Sequence, residues 1–200
     1  MLKRAFDIGF SACWLIGFAP LLLAVAILVR LKLGSPVLFI QERPGFLGRP
    51  FRMVKFRTMT DERGPDGELL PDSVRLTPFG KFLRSTTLDE FPEMWNVLIG
   101  EMSVVGPRPL LMRYLTRYSP FQARRMEVKP GVTGWAQVNG RNALSWDEKF
   151  ALDVWYVDHR TFWLDMKIVV MTFFKVFARS GINSGEGKTM EEFRGRENRE

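Results

Sequence analysis

Ile8-Gly-Phe-Ser-Ala-Cys-Trp-Leu-Ile-Gly-Phe-Ala-Pro-Leu-Leu-Leu-Ala-Val-Ala-Ile-Leu-Val29 is a run of 22 residues without a charge, bounded by Lys3, Arg4 and Asp7 before it and by Arg30 and Lys32 after it. As one straight helix it reaches about 33 Å, enough for the roughly 30 Å of a bilayer's hydrocarbon. Arg30-Leu31-Lys32 follows at once with no small-residue cleavage pattern, so the run reads as part of the mature protein and not as a signal peptide. Pro20 lies near its middle, where a proline removes a helical hydrogen bond and clashes with the preceding turn. The helix ahead of it, Ile8 to Ala19, is only about 18 Å long. The basic residues at the two ends nearly balance, so they set no direction across a membrane. Pattern alone leaves three placements open: a straight span, a re-entrant dip into one leaflet that turns at Pro20, and a helix buried in a soluble core.

Working outward, the surrounding composition favours a lipid setting. Residues 1–60 hold nine Lys/Arg against two Asp/Glu, whereas residues 61–200 hold twenty of each sign, so the whole net charge of +7 lies beside the apolar run. Seventeen Phe and six Trp in 200 residues are many, as at a membrane surface. One cysteine, Cys13, excludes an intrachain disulfide framework. The length suits a single domain with a real core.

Pro36 to Gln41 and Phe51 to Thr58 are β-prone, and the turn-rich, basic Arg43-Pro-Gly-Phe-Leu-Gly-Arg-Pro50 between them predicts a two-stranded hairpin. Asp61 to Ser73 is a polar loop, a lid or a variable excursion. Leu76 to Arg84 predicts a short amphipathic helix that starts near Pro78. The stretch Thr86-Thr-Leu-Asp-Glu-Phe-Pro-Glu-Met-Trp-Asn-Val-Leu-Ile-Gly100 predicts a helix capped by Thr87 with Glu90, or by Asp89, and ended by Gly100. Either cap puts two adjacent carboxylates at a helix start. Met112 to Met126 and Ser145 to Val157 read as further helices, the second with capping-box spacing from Ser145 to Glu148. Thr161 to Arg179 reads as an interfacial helix, with Asp165, Thr172, Lys175 and Arg179 recurring on its polar side; its alternative is a core helix. The expected class is mainly α with a small β-hairpin (α+β): a monotopic membrane protein with an N-terminal re-entrant helix-break-helix. The expected divisions are residues 1–34 for the hairpin bent at Pro20, 35–182 for a catalytic domain and 183–200 for a polar flexible tail.

Phosphate-binding P-loop, dinucleotide-fold, zinc-protease and serine-hydrolase signatures are all absent. A single histidine, His159, supplies no metal cluster, which leaves hard divalent ions held by carboxylates and phosphates. Lys55, Arg57, Arg84, Arg108 and Arg141 sit in Pro/Gly-marked segments and not along helix faces. Several cations gathered near one pair of acids are what phosphoryl chemistry requires, and the glycines of Lys129 to Asn142 let backbone approach a ligand closely.

The ordered motifs Gln41-Glu-Arg-Pro-Gly45, Lys55-Phe-Arg-Thr-Met59, Thr86-Thr-Leu-Asp-Glu90, Trp95-Asn-Val97, Gly100-Glu-Met-Ser-Val-Val-Gly-Pro-Arg-Pro109, Lys129-Pro-Gly-Val-Thr-Gly-Trp-Ala-Gln-Val-Asn-Gly-Arg141 and Leu152-Asp-Val-Trp-Tyr156 give the chain its resemblance. It resembles the bacterial sugar transferase family, the small monotopic phosphoglycosyl transferases that begin lipid-linked glycan assembly, in their minimal form. The resemblance implies transfer of a phosphosugar from a UDP-sugar to undecaprenyl phosphate, giving undecaprenyl-diphosphate-sugar and UMP at the cytoplasmic face of the bacterial inner membrane. By the same resemblance Asp89 is the nucleophile that becomes an acyl-phosphate, and Glu90 binds Mg²⁺. The family breaks its re-entrant helix at a Ser-Pro pair; the matching pair here is Ala19-Pro20, which keeps the proline and lacks the serine hydroxyl. Arg108 is expected to grip a substrate phosphate, with Lys55, Arg57, Arg84 and Arg141 near the polar heads and Asp153 as a supporting or sugar-contacting acid. Anionic lipids and a homodimer are the other expected partners; nucleic acid is not, since no such module is present. The rival readings are a membrane-anchored Mg²⁺-dependent nucleotide-sugar hydrolase or direct-displacement transferase, and a non-enzymatic basic membrane adaptor.

Overall fold

The computed structural model describes residues 1–140, 144–177 and 192–195. Its fold is α+β, mostly helical with two small two-stranded sheets. The apolar run forms two helices, α1 (Leu2–Gly17) and α2 (Ala19–Lys32), bent by 62°. The bend falls at Phe18, just ahead of the expected point at Pro20. Pro20 sits in the first turn of α2, where its missing N–H leaves no bond unmade, so the proline opens the second helix and the chain turns before it. Among the described residues no single helix is long and apolar enough to cross a membrane. Ile16, Leu23, Ile27 and Leu31 are exposed along the pair.

The charges at the start of α1 are tethers. Lys3 Nζ donates to Asp165 Oδ2 (2.7 Å), Val105 O (2.9 Å) and Tyr156 Oη (3.1 Å). Arg4 donates to Val97 O (2.6 Å) and Leu98 O (2.7 Å). Asp7, buried, accepts from Ser103 Oγ and Val104 N, both at 3.0 Å. Residues counted in the sequence as membrane-flanking charges thus bolt the first two turns of α1 to the rest of the molecule.

The expected hairpin is present: β1 (Leu38–Pro44) pairs antiparallel with β2 (Pro50–Phe56), Leu38 opposite Phe56 and Pro44 opposite Pro50. Phe51, Met53 and Phe56 of β2 are buried. A polar excursion containing α3 (Asp72–Arg75) leads to α4 (Pro78–Ser85), whose start at Pro78 matches the sequence and is capped by Thr77 Oγ1 accepting from Gly80 N (3.1 Å). Helix α5 (Glu93–Ile99) ends at Gly100, in the left-handed region at φ 92°. Its Asn96 reads the free edge of β2, accepting from Val54 N (3.1 Å) and donating to Arg52 O (2.8 Å).

Two strands escape the sequence reading. β3 (Ser103–Val105) pairs in parallel with β4 (Gly131–Thr133), so the two glycine-rich motifs are neighbours in space. A Cβ on Gly131 would lie 2.0 Å from Gly106 N, and one on Gly106 would lie 2.3 Å from Lys129 O. These glycines therefore let backbone approach backbone, where the sequence led us to expect approach to a ligand. Met112 to Met126 is not one helix. Ser119 and Pro120 break it into a 3-10 segment (Met112–Arg117), α6 (Pro120–Ala123) and a further 3-10 turn (Arg124–Met126). After α7 (Trp135–Val138) comes α8 (Trp146–His159), with the expected Ser145–Glu148 capping box formed. Helix α9 (Phe162–Phe177) turns Asp165 and Ile168 inward and leaves Trp163, Val170 and Phe174 exposed. Phe193, from the stretch expected to be a polar tail, is buried beside Tyr114, Phe150 and Trp146.

The main core gathers Phe51, Met53, Val97, Met102, Val104, Tyr156 and Ile168, drawing on the hairpin, α5, β3, α8 and α9. Asp7→Ala would leave Ser103 Oγ and Val104 N buried without an acceptor, a loss of about 3 kcal/mol. Denaturant unfolding in detergent should show that loss; an unchanged midpoint would contradict the tether.

Candidate active site

The adjacent acids sit on a 3-10 turn, Leu88–Glu90, ahead of α5. No Thr87 capping box forms. Thr87 is in the left-handed region at φ 56°, a costly conformation for a β-branched residue, and its side chain caps nothing there. The flanking residues fix the turn. Leu88 packs on the cluster of Val25, Val29, Leu33, Phe56 and Leu83. Phe91 meets Trp14 (ring centroids 4.9 Å apart) and Phe18 (5.5 Å) at the bend between α1 and α2. The acids are thus held between an apolar cluster and the elbow of the N-terminal helices.

Their environments differ. Glu90 is ion-paired twice: Lys55 Nζ lies 2.9 Å from Oε1, and Arg108 spans both oxygens, with Nη2 on Oε1 and Nη1 3.2 Å from Oε2. Burial pushes Glu90 upward, but Arg108 and Lys55 outweigh it and hold the carboxyl well below the usual range. Asp89 is also buried, and among the described residues no cation forms an ion pair with it. Burial and the charge of Glu90 raise its pKa to about 6, against a weaker opposing pull from Lys55, Arg84 and Arg108. One acid is fixed as an anion by cations; its neighbour is desolvated and unclamped.

A third acid went unremarked in the sequence. Glu93 is 1 % exposed, and its Oε1 lies 2.9 Å from Lys55 Nζ, so Lys55 bridges Glu90 and Glu93. Burial and then the charge of Glu90 raise Glu93 to about 7. Its spacing three residues after Glu90 was the available signal. Arg43, in the Gln41–Gly45 motif, lies close enough for its charge to act on Arg108 and Glu93.

Of the expected phosphate-binding residues, Lys55 and Arg108 converge on Glu90, and Arg84 stands within electrostatic reach of Asp89, its Nε 3.0 Å from Thr58 Oγ1. Arg57 lies elsewhere: it donates to Leu33 O (3.4 Å), to Ser35 O (2.7 Å) and to Asp61, closing the C-terminal end of α2. Asp153 is buried against Arg125, which approaches its Oδ2 through Nη2 (2.7 Å) and Nε (3.0 Å). Arg125 Nη2 also donates to the Arg108 carbonyl (2.8 Å). Asp153 therefore acts at one remove, through Arg125, on the backbone that presents Arg108. Arg125 was missed because its partners are 17 and 28 residues away. Arg141 lies outside the described residues.

Among the described residues no three His, Cys, Asp or Glu side chains gather to hold a metal. Glu90 nevertheless has room for one ligand more. A carboxylate offers about four lone-pair sites, and Lys55 and Arg108 take two on Oε1 and one on Oε2. That suits Mg²⁺, which binds through one or two carboxylates with substrate phosphates and water completing its octahedron.

The bacterial sugar transferase family matches residues 1–179. The chain is 54% identical over 195 residues to the uncharacterized sugar transferase EpsL of Bacillus subtilis (strain 168), covering 98% of this chain and 96% of that one. It is 40% identical to a UDP-glucose:undecaprenyl-phosphate glucose-1-phosphate transferase of Klebsiella pneumoniae, over 88% of this chain and 40% of that protein. It is 37% identical to a UDP-N-acetylgalactosamine-undecaprenyl-phosphate N-acetylgalactosaminephosphotransferase of Aeromonas hydrophila, over 86% of this chain and 42% of the relative. The chain thus spans about two-fifths of the length of the latter two.

Asp153→Asn would leave Arg125 charged and buried without its counter-ion, a loss of about 3 kcal/mol or more. A Tm equal to that of the parent protein would show that the pair does not support the fold.

Proposed function

The chain belongs to the bacterial sugar transferase family, and on that premise we propose that it moves a phosphosugar from a UDP-sugar to undecaprenyl phosphate, releasing UMP and forming undecaprenyl-diphosphate-sugar. The observation that carries the reading is the division of labour between neighbouring acids: Glu90 held by Lys55 and Arg108, Asp89 buried and free of any ion pair among the described residues. An ionised carboxylate stripped of water is a competent oxygen nucleophile. An Asp89 oxygen attacks the sugar-bearing phosphorus, the bond from that phosphorus to the bridging oxygen breaks, and UMP leaves with the electron pair. A phosphate oxygen of the lipid acceptor then attacks the same phosphorus and expels the Asp89 carboxylate.

Lys55 and Arg108 set fixed positive charge beside the reacting phosphates, so little reorganisation is needed as charge shifts. Glu93 and the Asp153–Arg125 pair hold those two cations in place. Glu90, with its remaining lone pair, is the residue that would hold Mg²⁺. The ion would neutralise the diphosphate and ease departure of UMP.

The location follows from the same reading. Helices α1 and α2 dip into the cytoplasmic leaflet of the bacterial inner membrane and return, with both ends on the cytoplasmic side; the 62° bend and the exposed Ile16, Leu23, Ile27 and Leu31 support this. Trp163, Val170 and Phe174 of α9 rest at the headgroups, and the basic excess of residues 1–60 favours anionic lipid. The Asp89 site then lies at the depth of a lipid-linked phosphate.

Incubating the protein with a UDP-sugar and Mg²⁺ but no lipid should release UMP once per protein and leave a phosphosugar mass on the peptide containing Asp89. Asp89→Asn should give no adduct and lower turnover by about 10³-fold or more. Turnover without any adduct would favour direct displacement, and a fully active Asp89→Asn protein would end the assignment. Because the nucleophile is the ionised form, kcat/KM should fall as pH drops through about 6, where Asp89 takes up its proton. A flat profile between pH 7 and pH 5 would exclude Asp89 as the titrating nucleophile.

A further inference from the structure

Glu192-Phe-Arg-Gly195 carries one large apolar side chain, and that side chain is 5 % exposed. The ring of Phe193 sits among Tyr114, Tyr118, Trp146 and Phe150, with centroids 5.0 to 5.9 Å away. The polar groups beside the ring are met as well. Phe193 O accepts from Arg117 Nη1 (2.5 Å), and Phe193 N donates to Tyr114 Oη (3.4 Å). Glu192 Oε1 pairs with Arg117 Nη1 (2.8 Å) and with Arg113 Nε (2.9 Å). A chain end is ordered only where contacts offset its lost conformational entropy. Here ring, backbone and acid each find a partner, as in a seat built for this side chain.

The seat backs onto the active site. The same Tyr118 and Phe150 rings lie against the Arg125 guanidinium, 6.0 and 5.6 Å from their centroids, and Arg125 Nη1 donates to Tyr118 Oη (3.4 Å). Arg125 in turn holds the Arg108 carbonyl (2.8 Å), and Arg108 grips Glu90. Leu110 and Leu111, just past Arg108, pack on the same aromatic cluster. We propose that Phe193 is a positioning residue for the transfer: by filling the aromatic seat it fixes Arg125 and the Leu110–Leu111 segment, and through them Arg108. The assignment rests on the transferase reading above. A cation that stabilises charge moving between phosphates must already be in place, to within about 0.5 Å. Removing the ring opens a void into which Tyr118 and Phe150 can turn, and this loosens Arg125 without breaking its ion pair with Asp153. None of the motifs behind the family resemblance reaches residue 193, so a stretch expected to be a polar tail supports the chemistry at Glu90.

The test uses the full chain in nanodiscs and the UDP-sugar that releases most UMP in a panel. Phe193→Ala should lower kcat/KM about tenfold, and Phe193→Leu, which keeps apolar bulk in the seat, should stay within about threefold of the parent. A residue that merely holds the fold together would act equally in any background. In an Arg108→Lys protein, by contrast, Phe193→Ala should cost less than a further twofold, because the side chain it positions is already changed. Hydrogen exchange should quicken in peptides covering residues 106–118 when Phe193 becomes Ala. Glu192→Gln, at an exposed position, covers failure of Phe193→Ala to fold: it should lower kcat/KM at least twofold, with the same dependence on Arg108 and the same peptides exchanging faster. Parent-like activity in the folded variant, an equal loss in both backgrounds, or unchanged exchange at 106–118 would overturn the proposal. Exchange needs no turnover: a protein that shows the expected change but releases no UMP from any UDP-sugar would sink the transferase reading and leave the link from Phe193 to Arg108 standing.

Discussion

Glu90 stays charged in a half-buried place because two cations are held against it, and each cation is fixed from behind. Lys55 comes from the hairpin and is shared with Glu93 on α5. Arg108 follows β3, and its carbonyl is held by Arg125, itself fixed by Asp153 of α8. Three separate parts of the chain must close together before that one carboxylate is stable as an anion. The same closure leaves Asp89 desolvated beside it, so the contrast between the two acids follows from assembly and not from their own side chains.

Local structure was legible in the sequence wherever the signal is local. Ser145 with Glu148 announced α8, Pro78 announced α4, and the turn-rich segment after Arg43 announced the hairpin; in each case the stabilising contact is made by the residues that carry the signal or by an immediate neighbour, as Thr77 does for α4. The break between α1 and α2 was also visible, displaced to Phe18 because a proline is tolerated in a first turn and disturbs what lies before it. What stayed hidden depends on partners far away. Three-residue strands such as β3 and β4 have no periodicity to read, and only their glycine pairing explains them. Thr87 adopts a conformation that its own chemistry disfavours.

The site was legible as a composition of charges and not as an arrangement. Eight expected members could be named, yet Arg57 closes the end of α2 and Asp153 contacts Arg125. Sequence spacing does not say which of several arginines faces the acids. Helix α9 teaches the related lesson for apolar faces: Asp165, expected on a wet side, is buried on Lys3 and Tyr156, while Trp163 and Phe174 point outward. An amphipathic pattern fixes the existence of two faces, and the medium around the protein decides which of them is inside.

Phe91 meets Trp14 and Phe18 edge to face, one residue from Glu90 and at the elbow of the two N-terminal helices. On the proposed reading, anchor and nucleophile are therefore joined by one aromatic contact. If the helix pair lies in a leaflet as proposed, the lipid around that elbow is next to the turn bearing Asp89, and the detergent chosen for extraction becomes a variable of turnover in its own right.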